Sequence, residues 1–594
     1  MAQTTVDYFA DRGFTNEAIY RTDMDRCEPA EALGEDPQHR RWRAMAFATD
    51  DLAGTMLLAG PNTAAPTVRY PLDMQGWHAV SIGVLPSRPG ESDGHAVRVR
   101  LSDDAVESML NSASATSNRV HDKAIVEMFW KVADLTGQDL HIGQVAWQEA
   151  PGDGIGAVRC MHARIAYVKL VPLTEAEVEA TRADRADARN RTLFAHQDAH
   201  GPHWLWRMTT ADEVRRELEP YRDTDFSRMY WECGQGDLMY NLTNIGRRCT
   251  FDGLDDFDRV GDRLHAESWR SFAAQGIDPL RVALDYCHEI GMEFHASWRV
   301  AGFHFPPPHD HFDHGDGIYK RHPEWRGEDR NGVRTPRMAY SFPEVRAYAV
   351  DLLREVAQHP IDGVCLLYNR RPPLVEYERP IVEGFTRTHG GFPRLLPPDD
   401  PTWLKYRAQT LTQFMREVRE AMDEEAEKQG RSSRIQVSAI VGATEQENLQ
   451  IAIDLRAWVD EGLVDTLIPY SSELGMDSSL EAWTDPEAAR WLLDLTEGTP
   501  CTVAPNIMPR HLSPAEFRRR ADGLYGTGAP HLFFWDCAGP AGRANYQDMW
   551  SSLRRLGHRE EIAAWRAAGE AELVTPTRKL NLLGDWDLSY QTPG

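Results

Sequence analysis

The chain carries 594 residues, 42% of them hydrophobic and 26% charged, which supplies enough apolar surface for large cores and argues against general disorder. With 65 Lys+Arg against 91 Asp+Glu the formal net charge is −26, a field that repels phosphate backbones and anionic lipid, so neither nucleic acid nor a membrane is expected as a partner. A single small module is excluded, since about two to four domains fit a length of this order.

The N-terminal stretch MAQTTVDYFADRGF lacks the basic-then-apolar order of an export signal, and no apolar run approaches the roughly 20 residues that cross a bilayer. The eight cysteines include no CxxC pair, and Cys287, Cys365 and Cys501 sit in apolar runs. They read as buried thiols of a reducing compartment, so a cytoplasmic location is expected.

After an extension over residues 1–24, short β-type runs broken by turn signals fill the next 150 residues: TMLLAG, WHAVSIGVL, HAVRVRLS, QDLHIGQVAW and MHARIAYVKLVPL. That spacing predicts an antiparallel β-sandwich. The segment VHDKAIVEMFWKVADL within it is open between helix and strand. The charged TEAEVEATRADRADARNRT reads as a linker helix, closing a first domain over 25–185.

Beyond the linker, apolar runs alternate with helical patterns, the signature of parallel βα units. Eight strands are predicted: TLFAHQDA, RMYWECG, MEFHASWRV, DGVCLLYN, RIQVSAIV, VDTLIPYS, CTVAPNIM and PHLFFWDC. Eight alternations over 186–545 predict a (β/α)8 TIM barrel with long loops. An open doubly wound sheet is the rival, but no GxGxxG follows the first strand and no GxxxxGK[ST] occurs. Residues 546–594 give a helix and an irregular tail expected to pack on the barrel or the sandwich.

Reactive groups in such barrels come from the C-terminal strand ends and the loops that follow them. The first strand offers His196, Asp198, His200 and His203; the second Glu232 and Asp237; the third His295, Trp298 and Arg299. The fourth offers Tyr368, Asn369, Arg370, Arg371, Glu376 and Glu378; the fifth Glu445 and Glu447; the sixth Tyr470 and Glu473; the seventh Asn506; the eighth Trp535 and Asp536. Carboxylates at most strand ends suit hydrolysis of a glycosidic bond by an acid and a partnering carboxylate, and the interleaved aromatic rings offer flat faces to sugars. So acidic a chain also places carboxylates at strand ends by chance, and terminal Trp or Tyr also serve as rim packing, so the joint pattern carries the reading.

The leading expectation is a glycoside hydrolase with Glu378 as acid/base, because LVEYE offers an apolar, aromatic setting that raises a carboxyl pKa, and Asp536 as the ionised partner. Glu447 and Glu473 stand in reserve, as do Glu232 and Asp198, which otherwise join the substrate-binding set of His295, Trp298, Asn369, Arg370, Arg371, Tyr470, Asn506 and Trp535. Arg370 and Arg371 suit an anionic sugar, or else a salt bridge to Glu376 or Glu378. The loop PPPHDHFDHGDG gathers His309, Asp310, His311, Asp313, His314 and Asp316, ligand types for a divalent ion, but neighbours on a Pro/Gly-rich loop need not converge. No metal or other cofactor is expected. The alternatives are a metal-dependent sugar-processing barrel (hydrolase, isomerase or lyase) and a non-catalytic carbohydrate-binding protein; homo-oligomerisation is left open.

Five phrases carry a resemblance: MEFHASWRVAGFHFPPP, HPEWRGEDRNG, SFPEVRAYAVDLLREV, IDGVCLLYNRRPP and ENLQIAIDLRAWVDEGLVDTLIPY. Over about residues 190–540 the chain resembles the glycoside-hydrolase-like barrel proteins of bacteria, akin to the α-galactosidase superfamily. The resemblance implies a (β/α)8 fold and a glycan or glycoside ligand, with a β-sandwich module ahead of the barrel. One departure weakens any transfer of mechanism: the family places an Asp in strand four, in a phrase like DGIHLDYIRYP, where this chain reads DGVCLLYNRRP with Leu367.

Overall fold

The computed structural model describes residues 14, 16–35, 40–60, 63–86, 96–111, 124–148, 158–199, 201–205, 207–305, 310–370, 372–470, 485–508, 512–535, 537, 547–571, 573, 575–584 and 586–587. The fold is mixed α/β. Its N-terminal part holds two antiparallel sheets, one built around Trp77–Val84, Ala124–Asp134 and Ala163–Pro172, the other around Val68–Pro71, Ala96–Leu101 and Asp139–Gln144. Within VHDKAIVEMFWKVADL, Ala124–Asp134 is a strand and residues 120–123 lie outside the described residues; its buried Ile125, Val126, Met128, Trp130 and Val132 fill a sheet between Trp77–Val84 and Thr577–Lys579.

Both sheets contribute to one core, with Trp42, Leu57, Val80, Ile82 and Val168 from the first and Tyr70, Val97, Val99, Leu140 and Ile142 from the second. The C-terminal tail belongs to the first sheet. Thr577–Lys579 pairs antiparallel with Ala124–Val126, and Leu582–Leu583 with Phe47–Ala48.

The linker helix Glu175–Ala186 begins on a capping box in which Thr174 and Glu177 satisfy each other's backbone N–H groups. Eight parallel strands follow: β1 (Leu193–Gln197), β2 (Phe226–Gln235), β3 (Glu293–Arg299), β4 (Gly363–Leu367), β5 (Gln436–Val441), β6 (Thr466–Pro469), β7 (Thr502–Val503) and β8 (Leu532–Phe534). Helices α1 (Ala211–Leu218), α2 (Pro279–Glu289), α3 (Pro343–Ala357), α4 (Pro401–Lys428), α5 (Leu455–Asp460), α6 (Arg490–Thr496) and α7 (Pro514–Gly526) alternate with them, and α8 (Gln547–Leu553) follows β8. Each strand from β1 to β6 pairs with the next. β8 pairs with β1, and a parallel bridge joins Asn506, just beyond β7, to Phe533.

Strand periodicity sorts the side chains into two populations. Trp231, Phe294, Trp298, Val364 and Leu366 pack outward against the helices. Phe194, Tyr230, Cys365, Leu367, Ile440, Ile468, Tyr470, Phe533 and Trp535 form a separate inner cluster. Two excursions absent from the predicted elements extend the loops: the helix Val260–Gln275 after β2, and an antiparallel pair, Arg326–Glu328 with Arg334–Met338, after β3.

Far from the strand C-termini, one histidine ties three segments together. His558 Nδ1 lies 2.7 Å from Asp225 just before β2, and Nε2 lies 2.6 Å from Asp184 of the linker helix. Arg555 adds a contact to Asp184 at 3.1 Å. Burial disfavours charge on His558, but the two carboxylates outweigh it and raise the imidazole to about 9.

Cys27, Cys233, Cys249, Cys287, Cys365, Cys501 and Cys537 are buried with free thiols. Among the described residues no helix is long and apolar enough to cross a membrane.

Candidate active site

The inner faces of β1, β2 and β3 bring polar groups together at their C-terminal ends. In β2 the residues Arg228, Tyr230 and Glu232 share the inward phase, and a register shift between Glu232 and Gly234 re-aims the strand end. The Glu232 carboxylate, fully buried, lies 2.8 Å from Arg299 Nε and 4.0 Å from His196 Nε2. The His196 ring stacks on Trp535, with centroids 4.0 Å apart and planes 11° apart. Trp535 also receives the Tyr470 ring at 5.1 Å and the Arg370 guanidinium at 5.3 Å. Asp198, two residues beyond His196, accepts from Gly201 N at 3.2 Å. Burial, and then the fields of nearby Glu232 and Asp198, hold the Tyr240 phenol well above its ordinary pKa.

Two amides follow β4 and β7 on the same inward phase. Asn369 continues the inward phase of Cys365 and Leu367, and Asn506 that of Ala504. Both are at least nine-tenths buried, and neither side-chain Oδ1 nor Nδ2 has a hydrogen-bond partner among the described residues. A buried amide left unpaired costs about 1–3 kcal/mol, so groups in this state mark a place where a ligand's hydrogen bonds belong.

Several predicted site residues lie elsewhere. Trp298 packs on the helix-facing side of β3 and donates its indole N–H to Gly236 O at 2.9 Å, because three residues separate it from inward His295. His295 sits deeper, its Nε2 3.7 Å from Glu293 at the start of β3, and burial together with Arg228 pushes its imidazole down to about 4. It is a neutral interior group, away from the strand ends.

Glu447 is half-buried and closes the capping box of the helix Glu445–Gln450, its carboxylate accepting from Thr444 N at 2.8 Å. Asp237 is held by Arg247 at 2.8 Å and accepts from Ile318 N at 3.0 Å.

Glu378 precedes the helix Arg379–His389, and both its oxygens accept from Glu376 N at 3.0 Å. Burial raises its carboxyl to about 7, as the LVEYE setting predicts. Its neighbours, however, are the excursion after β3, through Tyr377 N to Glu328 O at 2.9 Å, and Arg407 of α4, which donates to Val375 O. Among the described residues none of its hydrogen bonds reaches His196, Glu232 or Arg299.

Glu473, Asp536, Arg371, His200 and His309 lie outside the described residues. Of the His/Asp loop, His304 and Asp313 pair with each other, and no group of three or more metal-type ligands occurs among the described residues. Strand-four Leu367 is fully buried in the inner cluster. The sequence reading places Glu232 among the reserves and does not name Tyr240; the even spacing of Arg228, Tyr230 and Glu232 is the signal that puts Glu232 on the inward face.

Residues 259–483 match the family model described as Glycosyl hydrolase-like 10. The matched segment runs from the helix Val260–Gln275 through β3, β4, β5 and β6, so it contains Arg299, Leu367, Asn369 and Tyr470 but not His196, Glu232, Asn506 or Trp535. No curated protein matches the chain. Among solved structures, a β-galactosidase from the psychrophilic Marinomonas ef1 is 12% identical over 65% of this chain and 61% of its own, with a TM-score of 0.39. The α-galactosidase of Thermus thermophilus is 12% identical over 88% of this chain and 94% of its own, with a TM-score of 0.33. An α-amylase from Lactobacillus plantarum is 11% identical over 62% and 82%, with a TM-score of 0.33. The chain spans 61% of the length of that β-galactosidase.

Proposed function

We propose that this protein is a glycoside hydrolase whose parallel strands close as a (β/α)8 barrel behind a β-sandwich module, and that it works on a carbohydrate at the C-terminal ends of β1 to β8. The observation that carries the reading is Glu232: an inward carboxylate at a strand end, paired with Arg299 at 2.8 Å and flanked by the His196–Trp535 stack. The pairing of β8 with β1 and the bridge from Asn506 to Phe533 support closure of the ring. The match to a glycosyl hydrolase-like family supports the reaction class.

In this reading Glu232 is the ionised carboxylate that faces the developing positive charge at the anomeric centre, and Arg299 stabilises its negative form. Asp198, just beyond β1, supplies the proton to the leaving oxygen. Trp535 offers an aromatic face, and Asn369 and Asn506 fork onto sugar hydroxyls, which gives their unpaired amides partners. Asp536, next in sequence to Trp535, remains the other carboxylate to be tested in the acid role.

The test is turnover on a panel of aryl glycosides and oligosaccharides by the intact chain, beside Glu232→Gln, Asp198→Asn, Asp536→Asn and Glu378→Gln. Loss with Glu232→Gln and retention with Glu378→Gln supports the assignment; the reverse moves the site to the Glu376–Glu378 turn. A second reading, a carbohydrate-binding barrel without turnover, is favoured by one observation, the apolar Leu367 where the resembling family carries Asp. Ligand binding with no hydrolysis of any panel member would select it.

A further inference from the structure

A cavity opens on the loops that follow β2 and β3, with Thr243 and Asn244 of its wall bound to Glu355 of α3. It has a volume of about 440 Å³, within the range of small-ligand sites. One wall is the segment from Leu238 to Asp252, the other His314, Gly315 and Asp316. The cavity shares structure with the strand ends. Gly236, between Glu232 and the cavity wall, donates its N–H to Arg299 O at 2.9 Å. A Cβ on Gly236 would stand 2.6 Å from the Gly302 backbone, so the loops after β2 and β3 meet backbone to backbone here.

The walls are built rather than loose. Arg247 binds Asp237 at 2.8 Å and the carbonyl of His314 at 3.1 Å, tying the two loops together. Arg270 donates to the carbonyls of Thr250, Phe251 and Leu254, fixing the curve of the β2 loop.

Within this frame Thr250 lines the cavity, is 5% exposed, and its Oγ1 has no hydrogen-bond partner among the described residues. The remaining lining is rich in both donors and acceptors: Arg248 and Asn244 on one side, Asp252 and Asp316 on the other. Arg247 is already paired with Asp237, so Arg248 faces two aspartates and one net negative charge remains to disfavour an anion. A neutral ligand carrying many hydroxyls fits, because each hydroxyl both donates and accepts.

We propose that this cavity is a subsite for a further sugar unit, so that the preferred ligand is an oligosaccharide reaching from the strand ends onto the loops after β2 and β3. The inference rests on the carbohydrate reading of the first site and adds the ligand's length. Thr250 and Asn244 are specificity residues in it, outside the proposed catalytic set. Losing one hydrogen bond of the Thr250 hydroxyl weakens binding about 3- to 10-fold.

The test is calorimetric binding of malto-, cello-, xylo- and chito-oligosaccharides of two to seven units to the full chain carrying Glu232→Gln, which holds ligand without turnover. Affinity rises at least tenfold with length in one series. Adding Thr250→Val cuts that gain about 3- to 10-fold, and Thr250→Val with Asn244→Ala removes it, while affinity for the disaccharide stays constant and thermal unfolding is unchanged. Length-independent affinity, a gain that survives both variants, or cavity occupancy by sodium sulfate in place of sugar overturns the proposal while leaving the first site standing. Absence of binding by every series overturns both readings.

Discussion

His558 gives a sharp test of how the three segments of the chain are joined. The substitution is His558→Gln, which keeps a polar side chain of similar reach but cannot carry charge. In the native protein the imidazole is sandwiched between Asp225 at 2.7 Å and Asp184 at 2.6 Å, with only a tenth of its side chain exposed. Its rise from 6.5 to about 9 corresponds to about 3 kcal/mol of preference for the charged form in the folded state. Breaking a buried pair by removing one partner costs about 3–5 kcal/mol, and the partial exposure of Asp184 places the expected loss at the lower end.

Because the folded-state pKa is the higher one, this stabilisation is fully present below pH 6.5 and disappears as pH climbs through 9. The assay is urea unfolding of the intact chain and of His558→Gln at half-unit steps from pH 6 to 10. The variant should be about 3 kcal/mol less stable at pH 6.5 and converge with the native protein above pH 9. A deficit below 1 kcal/mol at pH 6.5, or one that stays constant with pH, would refute the reasoning.

Glu378→Gln should behave in the opposite way. The native carboxyl titrates near 7 against an ordinary 4.5, so ionising it in place costs stability as pH rises between those values, and the neutral amide avoids that cost. The variant is expected to match the native melting temperature at pH 5 and exceed it at pH 8, with turnover retained. Asn369→Leu and Asn506→Leu remove amides that have no partners among the described residues, so each should unfold at or above the native midpoint yet bind carbohydrate at least tenfold more weakly. A drop in both stability and binding would mean the amides are structural.

Much of the fold was legible because strand periodicity is written locally. All eight runs of the parallel sheet appear where alternating or continuous apolar residues place them, from TLFAHQDA to PHLFFWDC. The same rule, carried one step further, separates His295 from Trp298, since an odd spacing in a strand puts two side chains on opposite faces. Glu447 was readable too: Thr444 three residues before it is a helix-start signature, and the capping box takes up its carboxylate. The helix Val260–Gln275 is absent from the predicted elements although Leu264, Ser268 and Phe272 fall four apart on its buried side.

Glu378 is a different case. Its apolar setting was legible in LVEYE and did raise its pKa, but its position depends on the turn after β4 docking against the excursion after β3. That contact joins Tyr377 to Glu328, 49 positions apart, and no local pattern announces it. The pairing of Glu232 with Arg299 is likewise long-range, set by adjacent parallel strands whose partners lie far apart in the chain.

The role of Glu232 is tested most directly by steady-state hydrolysis of the best panel glycoside by the intact chain and by Glu232→Gln, with ligand affinity measured in parallel. The account predicts a fall in kcat of at least a thousandfold, about 4 kcal/mol of lost transition-state stabilisation, while affinity for the intact glycoside stays within a few-fold. Unchanged kcat in a variant that folds and binds normally would contradict it.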